Sequence, residues 1–189
     1  MNILSGKPLL WHVVERAKRA RKADMVSVAT SRNPEDDVIE TFCTAEAVSC
    51  FRGSHDDGLE RYYEAAKHVG AETIIRITAD CPLIDAGIID ECIEAFEKES
   101  ADYVSNVNPE RTFPRGLDVE VVGMKALTRA YHEAREPYER EHVTPYIWEN
   151  KQRKFTIGKG VVARLEYRRP YRLCVDYAED FLVLKYIYD

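Results

Sequence analysis

The sequence predicts an α/β fold in which helices cover both faces of a mostly parallel sheet. Across residues 8–107, segments with helical apolar spacing alternate with short runs rich in β-branched residues. Parallel strands joined by crossover helices produce this alternation. The 189 residues contain no internal repeat, low-complexity segment or linker, so we expect a single domain spanning 1–189.

The first half of the chain carries the regular alternation. Pro8 suits the first turn of a helix, and Leu10, Val14 and Ala17 follow at helical spacing. The run at 73–78 is dominated by β-branched residues, which is typical of a buried strand. The same patterns predict helices at 8–21, 33–46, 58–69 and 86–98, and strands at 25–30, 48–53, 73–78 and 102–107.

The second half loses this rhythm and is predicted to elaborate the same domain. Gly158 and Gly160 lie between two apolar runs, which predicts an antiparallel hairpin across 153–167. A short strand at 173–175 is predicted to precede a closing helix. The other predicted elements are a strand at 116–122 and helices at 124–134 and 138–150.

Charge and cysteine content disfavour several classes of function. The formal net charge of −6 disfavours binding to nucleic acid or to an anionic membrane, although it allows a local basic pocket for a phosphorylated ligand. No apolar run approaches the ~20 residues of a membrane span, and no signal peptide is recognisable, so we expect a cytoplasmic protein. The five cysteines show no C-x-x-C pair, which predicts reduced thiols rather than disulfides or a zinc site.

Two aspartates follow predicted strands at the position where open α/β sheets bind ligands. Asp80 comes after the strand at 73–78, and Asp176 comes after the strand at 173–175. Ligands bind beyond the carboxyl ends of such strands, and two carboxylates there can hold Mg²⁺ together with phosphate oxygens of a substrate. Alternatively, each aspartate caps the helix that follows it.

Eight segments spread along nearly the whole chain carry a family resemblance. They are GKPLLWHVVERAKRA, VSVATSRNPEDD, FRGSHDDGLERYYEAAK, RITADCPLID, DYVSNV, FPRGLDVEVV, YEREHVTPYIW and VDYAEDFLVL. In this order they resemble the cytidylyltransferase family of spore coat polysaccharide biosynthesis protein F, which is related to the acylneuraminate and 3-deoxy-manno-octulosonate cytidylyltransferases. The resemblance implies a three-layer, Rossmann-like fold of the nucleotide-diphospho-sugar transferase type. It also implies magnesium-dependent transfer of CMP from CTP to a sugar or sugar acid, with release of pyrophosphate, for surface polysaccharide.

The resemblance assigns roles to individual residues. Asp80 matches one metal-binding aspartate of the family, and Asp176 matches the second. Thr30 and Ser31 match positions near the cytosine, although an ordinary strand-to-helix turn would explain this pair equally well.

Residues on the same sheet face as Asp80 are also predicted at the nucleotide pocket. By period-two alternation, Arg76 and Thr78 share that face, and a salt bridge within the sheet is an equally good explanation of Arg76. Cys81 is predicted to pack, because its acidic neighbour raises a thiol pKa and the family mechanism needs no covalent nucleophile.

The acceptor sugar is predicted to lie among residues of the second half. Asp118 and Glu120 share one face of their strand, which makes them candidates for binding sugar hydroxyls, although an exposed strand face would have the same pattern. By resemblance, Arg140, Glu141 and His142 contribute to the sugar site, although a single histidine is more often structural.

The opening strand and phosphate-binding loop of the family have no counterpart in the sequence. Only five residues precede Gly6, and a strand alone needs ~5 residues. We therefore predict a chain truncated relative to the family, with unpaired edges on two neighbouring strands. An upstream start, a fragment, or a strand recruited from another copy would each explain this. Weak or absent activity is expected.

Two other classes of function compete with this prediction. A glycosyltransferase of the related fold commonly holds its metal through Asp-x-Asp, whereas the strand end here is Asp80-Cys81-Pro82. The second alternative is a non-catalytic binding or assembly module. Likeness to the related sugar-acid enzymes predicts a homodimer built on the second half.

Overall fold

The computed structural model describes residues 1–188 and confirms the predicted alternation of helices and strands in the first half. None of the helices among these residues has both the length and the apolar character needed to cross a membrane. The helices are α1 (Leu9–Ala17), α2 (Asp37–Ala45), α3 (Gly58–Val69), α4 (Ala86–Glu99), α5 (Met124–Glu133), α6 (Pro137–His142), α7 (Pro145–Trp148) and α8 (Ala178–Tyr188). The strands are β1 (Ile3–Leu4), β2 (Lys7–Pro8), β3 (Ser27–Ser31), β4 (Ser49–Gly53), β5 (Thr73–Arg76), β6 (Tyr103–Ser105) and β7 (Glu120–Gly123).

The described strands form three separate sheets. β3 pairs with β4 in parallel, whereas β7 lies between β5 and β6 and is antiparallel to both. β1 and β2 form a small antiparallel pair. The parallel β3–β4 pair agrees with the predicted parallel sheet, whereas the prediction is wrong for β7, because the chain between β6 and β7 contains no crossover helix.

Alternate strand residues face two different layers of helices. Ile74 and Val122 pack with residues of α3 and α5, whereas Ile75 and Val121 pack with residues of α1 and α4. Because successive side chains of a strand point to opposite faces, the sheet around β7 is covered on both sides. The predicted three-layer arrangement is thus confirmed.

The segment 153–167 does not form the predicted hairpin. It runs beside β6 instead, where the Gly158 N–H donates to the Tyr103 carbonyl at 2.9 Å and the Val161 N–H donates to the Ser105 carbonyl at 3.2 Å. A Cβ on Gly158 would lie 2.6 Å from a Val104 methyl, so this glycine serves a close approach to β6 rather than a turn. The strand predicted at 173–175 does not form either. The Leu173 N–H donates to the Arg115 carbonyl and the Val175 N–H donates to the Asp80 carbonyl, so the segment bonds two different loops instead of one strand.

A slot of 410 Å³ separates β3 from β5. Among residues 1–188, no strand pairs with the edge of β3 opposite β4, or with the edge of β5 opposite β7. Helix α1 lines one side of the slot and α3 lines the other. The predicted unpaired edges on two neighbouring strands are therefore present in the described chain.

Candidate active site

Asp80 lies on the turn that follows β5. In this turn the Thr78 hydroxyl lies 3.1 Å from the Cys81 thiol, and the Cys81 N–H donates to the Thr78 carbonyl at 3.3 Å. The cap of α4 is Asp85, whose carboxylate accepts from the N–H groups of Gly87 and Ile88. Asp80 is therefore not the helix cap of the alternative prediction, and its carboxylate is left for another partner.

Asp176 lies beside Asp80, although the two residues are half the chain apart. The Val175 N–H donates to the Asp80 carbonyl at 2.9 Å, which holds the neighbour of Asp176 on the Asp80 turn. Asp180, at the start of α8, accepts from the Asp176 N–H at 3.0 Å, so Asp180 rather than Asp176 bonds the N–H groups there. The exposed Asp176 carboxylate accepts from Arg172. The structure thus brings the two predicted aspartates to the same edge of the molecule.

The chain leading into Asp176 is anchored where it crosses the chain around residue 115. The Arg115 N–H donates to the Tyr171 carbonyl at 3.1 Å, and the Leu173 N–H donates to the Arg115 carbonyl at 2.7 Å. Gly116 permits this crossing, since a Cβ there would lie 2.4 Å from the Leu173 carbonyl carbon and its φ is +97°. The crossing fixes the path by which the carboxyl-terminal segment reaches the Asp80 turn.

Burial keeps the two thiols at this edge protonated. Cys81 and Cys174 are both buried. Desolvation raises the pKa of Cys81, and the negative charges of Asp80 and Asp118 raise it further. Desolvation also raises the pKa of Cys174 to about 11. Neither thiol is a nucleophile at neutral pH, which agrees with the predicted packing role of Cys81.

A polar cavity of 200 Å³ lies next to the Asp80 turn. Thr78 of this turn lines the cavity together with Asp118, which precedes β7. Five predicted site residues line it together, although they come from three separate parts of the chain. This is the largest group of predicted residues that the structure brings together. The lining residues are Arg76, Thr78, Val107, Asp118, Glu120, Tyr138, His142, Thr144, Pro145 and Trp148.

Glu120 is buried at the floor of this cavity and is bonded by three donors. Its Oε1 accepts from the Tyr103 hydroxyl at 2.6 Å and from the Thr144 hydroxyl at 2.5 Å. Its Oε2 forms an ion pair with Arg76. The carboxylate therefore serves donors of the protein itself, and the alternative explanation of Arg76 as part of a sheet salt bridge is confirmed.

Asp118 and the residues opposite it form the more accessible part of the cavity. Arg111 binds Asp118 through two hydrogen bonds of 2.5 and 2.8 Å, and these bonds raise the pKa of Arg111. Both side chains stay about one-third exposed, at 31% and 34%. His142 is exposed and packs edge-on against Tyr138 at 4.9 Å. A few polar groups beside an aromatic wall are typical of small-molecule sites.

Thr30 and Ser31 form the turn after β3. Both hydroxyls donate to the Asp36 carboxylate, at 2.8 and 2.6 Å, and the Ser31 hydroxyl accepts from the Asn33 N–H at 3.1 Å. Arg52 ties β4 to this turn through the Ser31 and Asn33 carbonyls. These contacts match the alternative of an ordinary strand-to-helix turn, and proximity to cytosine stays a prediction.

Two residues expected at the sugar site lie elsewhere. Arg140 forms an ion pair with Asp57, the cap of α3, and donates to the Tyr131 carbonyl at 2.7 Å. Glu141 lines the slot between β3 and β5 rather than the polar cavity. Of the three residues predicted from α6, only His142 therefore lines the polar cavity, and a role of Arg140 and Glu141 in sugar binding stays a prediction.

The two aspartates offer the oxygen ligands that Mg²⁺ prefers. Within residues 1–188, the hydrogen-bond partner of the Asp80 carboxylate is the weak Cys81 thiol donor at 3.5 Å. No cluster of three or more His, Cys, Asp or Glu suited to a metal ion occurs in this part of the chain. The residues therefore fit a cation held by two carboxylates and completed by water and substrate oxygens.

Sequence reasoning missed Arg111, Tyr138 and Thr144 as parts of the site. Arg111 lies in the irregular chain between β6 and β7, where no periodicity indicates its pairing with Asp118. Tyr138 and Thr144 belong to the segment YEREHVTPYIW, in which the resemblance alone singled out the three residues at 140–142.

Comparison with protein families places the whole described chain in one family model. The model described as Cytidylyltransferase matches residues 1–188. A relative from Methanocaldococcus jannaschii, the uncharacterized protein MJ1063, is 38% identical over 94% of this chain and 71% of its own length. Spore coat polysaccharide biosynthesis protein SpsF of Bacillus subtilis is 31% identical over 98% of this chain and 77% of its own length.

A solved structure shows the same fold. The cytidylyltransferase from Leptospira borgpetersenii superimposes with a TM-score of 0.87 at 34% sequence identity. The superposition covers 97% of this chain and 76% of that structure. The α/β nucleotidyltransferase-like fold predicted from the sequence is therefore confirmed.

Proposed function

The chain belongs to the cytidylyltransferase family, and on this premise we propose that it transfers CMP from CTP to a hydroxyl of a sugar or sugar acid, for surface polysaccharide. The observation that carries this proposal is the convergence of Asp80 and Asp176 at one edge, next to the polar cavity. Two carboxylates at that edge suit a triphosphate with its cation, and the cavity suits the acceptor.

In the proposed reaction, an acceptor oxygen attacks the α-phosphorus of CTP. A bond forms between that oxygen and the α-phosphorus, the bond from the α-phosphorus to the α,β-bridging oxygen breaks, and pyrophosphate leaves. The acceptor hydroxyl proton passes to solvent. Bound Mg²⁺ would supply charge neutralisation on the phosphate oxygens, with Asp80 and Asp176 as its protein ligands. Most of the remaining acceleration comes from positioning the two substrates.

Some residues of the cavity bind the acceptor, and others hold these binding residues in position. Asp118, fixed by Arg111, presents a partly exposed carboxylate to hydroxyl groups, and His142 presents a ring nitrogen. Glu120 holds Arg76 and Thr144 in place. We assign Glu120 and Arg76 as positioning residues, because their charges neutralise each other inside the protein. A cytoplasmic location and a homodimer also stay proposals.

The experiment measures pyrophosphate release with CTP, MgCl₂ and a panel of sugars and sugar acids, with ATP, GTP and UTP as controls. Calorimetry with CTP and MgCl₂ gives a readout of binding that does not depend on turnover. Asp80→Asn and Asp176→Asn should each lower kcat/KM by ~100-fold or more, because several kcal/mol of charge stabilisation depend on these ligands. Asp56→Asn is the matched control, since its side chain is 96% exposed.

Two results would contradict the proposal. One is magnesium-dependent binding of CTP that is equally strong in the wild type and in both site variants. The other is the absence of any CTP binding, which would favour a non-catalytic module. Cleavage of a nucleotide sugar in place of CTP would instead favour the glycosyltransferase.

A further inference from the structure

An open groove of 550 Å³ lies where the chain at 110–115 runs beside the chain at 168–172. The Arg115 N–H donates to the Tyr171 carbonyl at 3.1 Å, so a backbone bond fixes the two segments against each other. The residues that line the groove are Glu110, Arg111, Thr112, Phe113, Pro114, Arg115, Arg168, Arg169, Pro170, Tyr171 and Arg172.

Five arginines line this groove, and two of them are neutralised by carboxylates of the protein. Arg111 pairs with Asp118. Arg172 pairs with Asp176 and Asp180. The groove therefore borders the candidate active site, although none of these three aspartates is among the residues that line it.

The other three arginines carry charges that no carboxylate neutralises. Arg115, Arg168 and Arg169 are exposed, and none of them forms an ion pair within residues 1–188. The Arg168 Nε donates to the Ala163 carbonyl at 3.0 Å, and the Arg169 Nη1 donates to the Arg168 carbonyl at 3.1 Å. A carbonyl restrains a guanidinium but leaves its charge and its other donors available. Glu110 is the single carboxylate among the lining residues of the described chain, so the groove has a surplus of positive charge.

The shape and the walls of the groove indicate the size of its ligand. A volume of 550 Å³ lies within the range of about 300–1,000 Å³ that is typical of small-molecule sites. Apolar and aromatic side chains lie beside the arginines, and they are Phe113, Pro114, Pro170 and Tyr171. A flat basic surface would suit a long polyanion, whereas a groove of this volume suits a small anion.

We propose that this groove binds a small molecule with two linked phosphate groups, either inorganic pyrophosphate or a diphosphate ester. Arginine binds phosphate oxygens through paired, charge-assisted hydrogen bonds. Arg168 and Arg169 belong to one segment and Arg115 to the other, so a ligand with two phosphates has one group for each segment. This inference does not rest on the proposed function, because it follows from arginines that the proposed reaction does not use.

Calorimetry measures binding to the protein in the presence of EDTA, which removes divalent cations and so separates this site from the proposed cation site. The probes are inorganic pyrophosphate, ADP and orthophosphate, and citrate is the control anion without phosphate. ADP is used in place of CDP so that recognition of cytosine does not contribute. Pyrophosphate or ADP should bind roughly tenfold more tightly than orthophosphate and citrate. Tighter binding of pyrophosphate would identify the free anion as the ligand, and tighter binding of ADP would identify a diphosphate ester.

Variants locate the binding in the groove. Arg115→Gln, Arg168→Gln and Arg169→Gln should each weaken the binding roughly tenfold, because each removes charge-assisted donors. Arg169→Lys should weaken it less than Arg169→Gln, since lysine keeps the charge. The matched control is Arg19→Gln, which removes an exposed arginine outside the groove and should have no effect. Asp80→Asn should not weaken the binding either, and circular dichroism establishes that every variant is folded.

Three results would overturn the proposal. The first is the absence of binding of both pyrophosphate and ADP. The second is binding of citrate as tight as that of the diphosphates, which would show a positive surface without selectivity for phosphate. The third is undiminished binding in the three arginine-to-glutamine variants of the groove, which would place the diphosphate elsewhere. None of these results bears on magnesium-dependent binding of CTP, so a failure of this inference is distinguishable from a failure of the proposed function.

Discussion

Replacing Glu120 by alanine tests a buried carboxylate that three donors hold at the polar cavity. Glu120 is 6% exposed and accepts from Tyr103 and Thr144 while pairing with Arg76. Removing one partner of a buried ion pair costs about 3–5 kcal/mol, because the other charge is left uncompensated. Arg76 keeps 20% of its side chain exposed, which places the expected loss in the free energy of unfolding near the lower end, about 3 kcal/mol.

Urea denaturation measures this loss of stability, and variants that each remove a single hydrogen bond to Glu120 give the scale for it. Tyr103→Phe and Thr144→Val each remove one hydrogen bond to the charged Glu120 carboxylate, so each should cost about 1.5–2 kcal/mol. A double variant of Arg76→Met and Glu120→Gln should cost less than the sum of the single variants, since neither charge is left alone. The reasoning is refuted if Glu120→Ala costs no more than Tyr103→Phe at an unchanged m-value.

Two further predictions concern titrating groups. Hydrogen bonds from Ser31 lower the pKa of Asp36, so its contribution to stability is present above the unfolded pKa of about 3.9 and is lost as the pH falls through the lowered folded value. Asp36→Asn should therefore destabilise the protein at pH 7 and progressively less towards pH 3 in urea titrations; a constant loss across this range would contradict the cause given. Because burial raises the pKa of Cys174 to about 11, its alkylation by iodoacetamide in the folded protein should be slow at pH 8 and should accelerate as the pH approaches that value. Alkylation at the rate of an unfolded control would show that the thiol is not desolvated.

The parts of the fold that follow from local pattern could be predicted from the sequence. The helix at 58–69 has its predicted bounds, and Asp118 and Glu120 share a face as period-two alternation requires. The rule that ligands bind beyond strand ends predicted that Asp80 and Asp176 lie at the same edge. The structure places them there, although the strand predicted before Asp176 does not form. The two residues are brought together by the bond from the Val175 N–H to the Asp80 carbonyl rather than by a strand.

The parts that depend on distant partners could not be predicted. Gly158 fits a turn and a close approach equally well in sequence, and only its position against Val104 distinguishes them. Arg140 was predicted at the sugar site by resemblance, and no local pattern in the sequence reveals its partner Asp57 on α3. The antiparallel pairing of β7 with β5 and β6 likewise depends on the irregular chain between β6 and β7, which has no periodic pattern.

The bond between Val175 and Asp80 has a consequence for how the protein assembles. The bond between Val175 and Asp80 closes a loop of about half the chain, and closing such a loop is entropically unfavourable. We therefore expect this contact to form after the local helices and the pairs of neighbouring strands. We therefore expect Asp176 to reach the Asp80 turn only after the chain at 171–173 has docked beside Arg115 and Gly116. A molecule with its layers fully packed therefore still lacks one carboxylate of the proposed cation site until the carboxyl-terminal segment has docked.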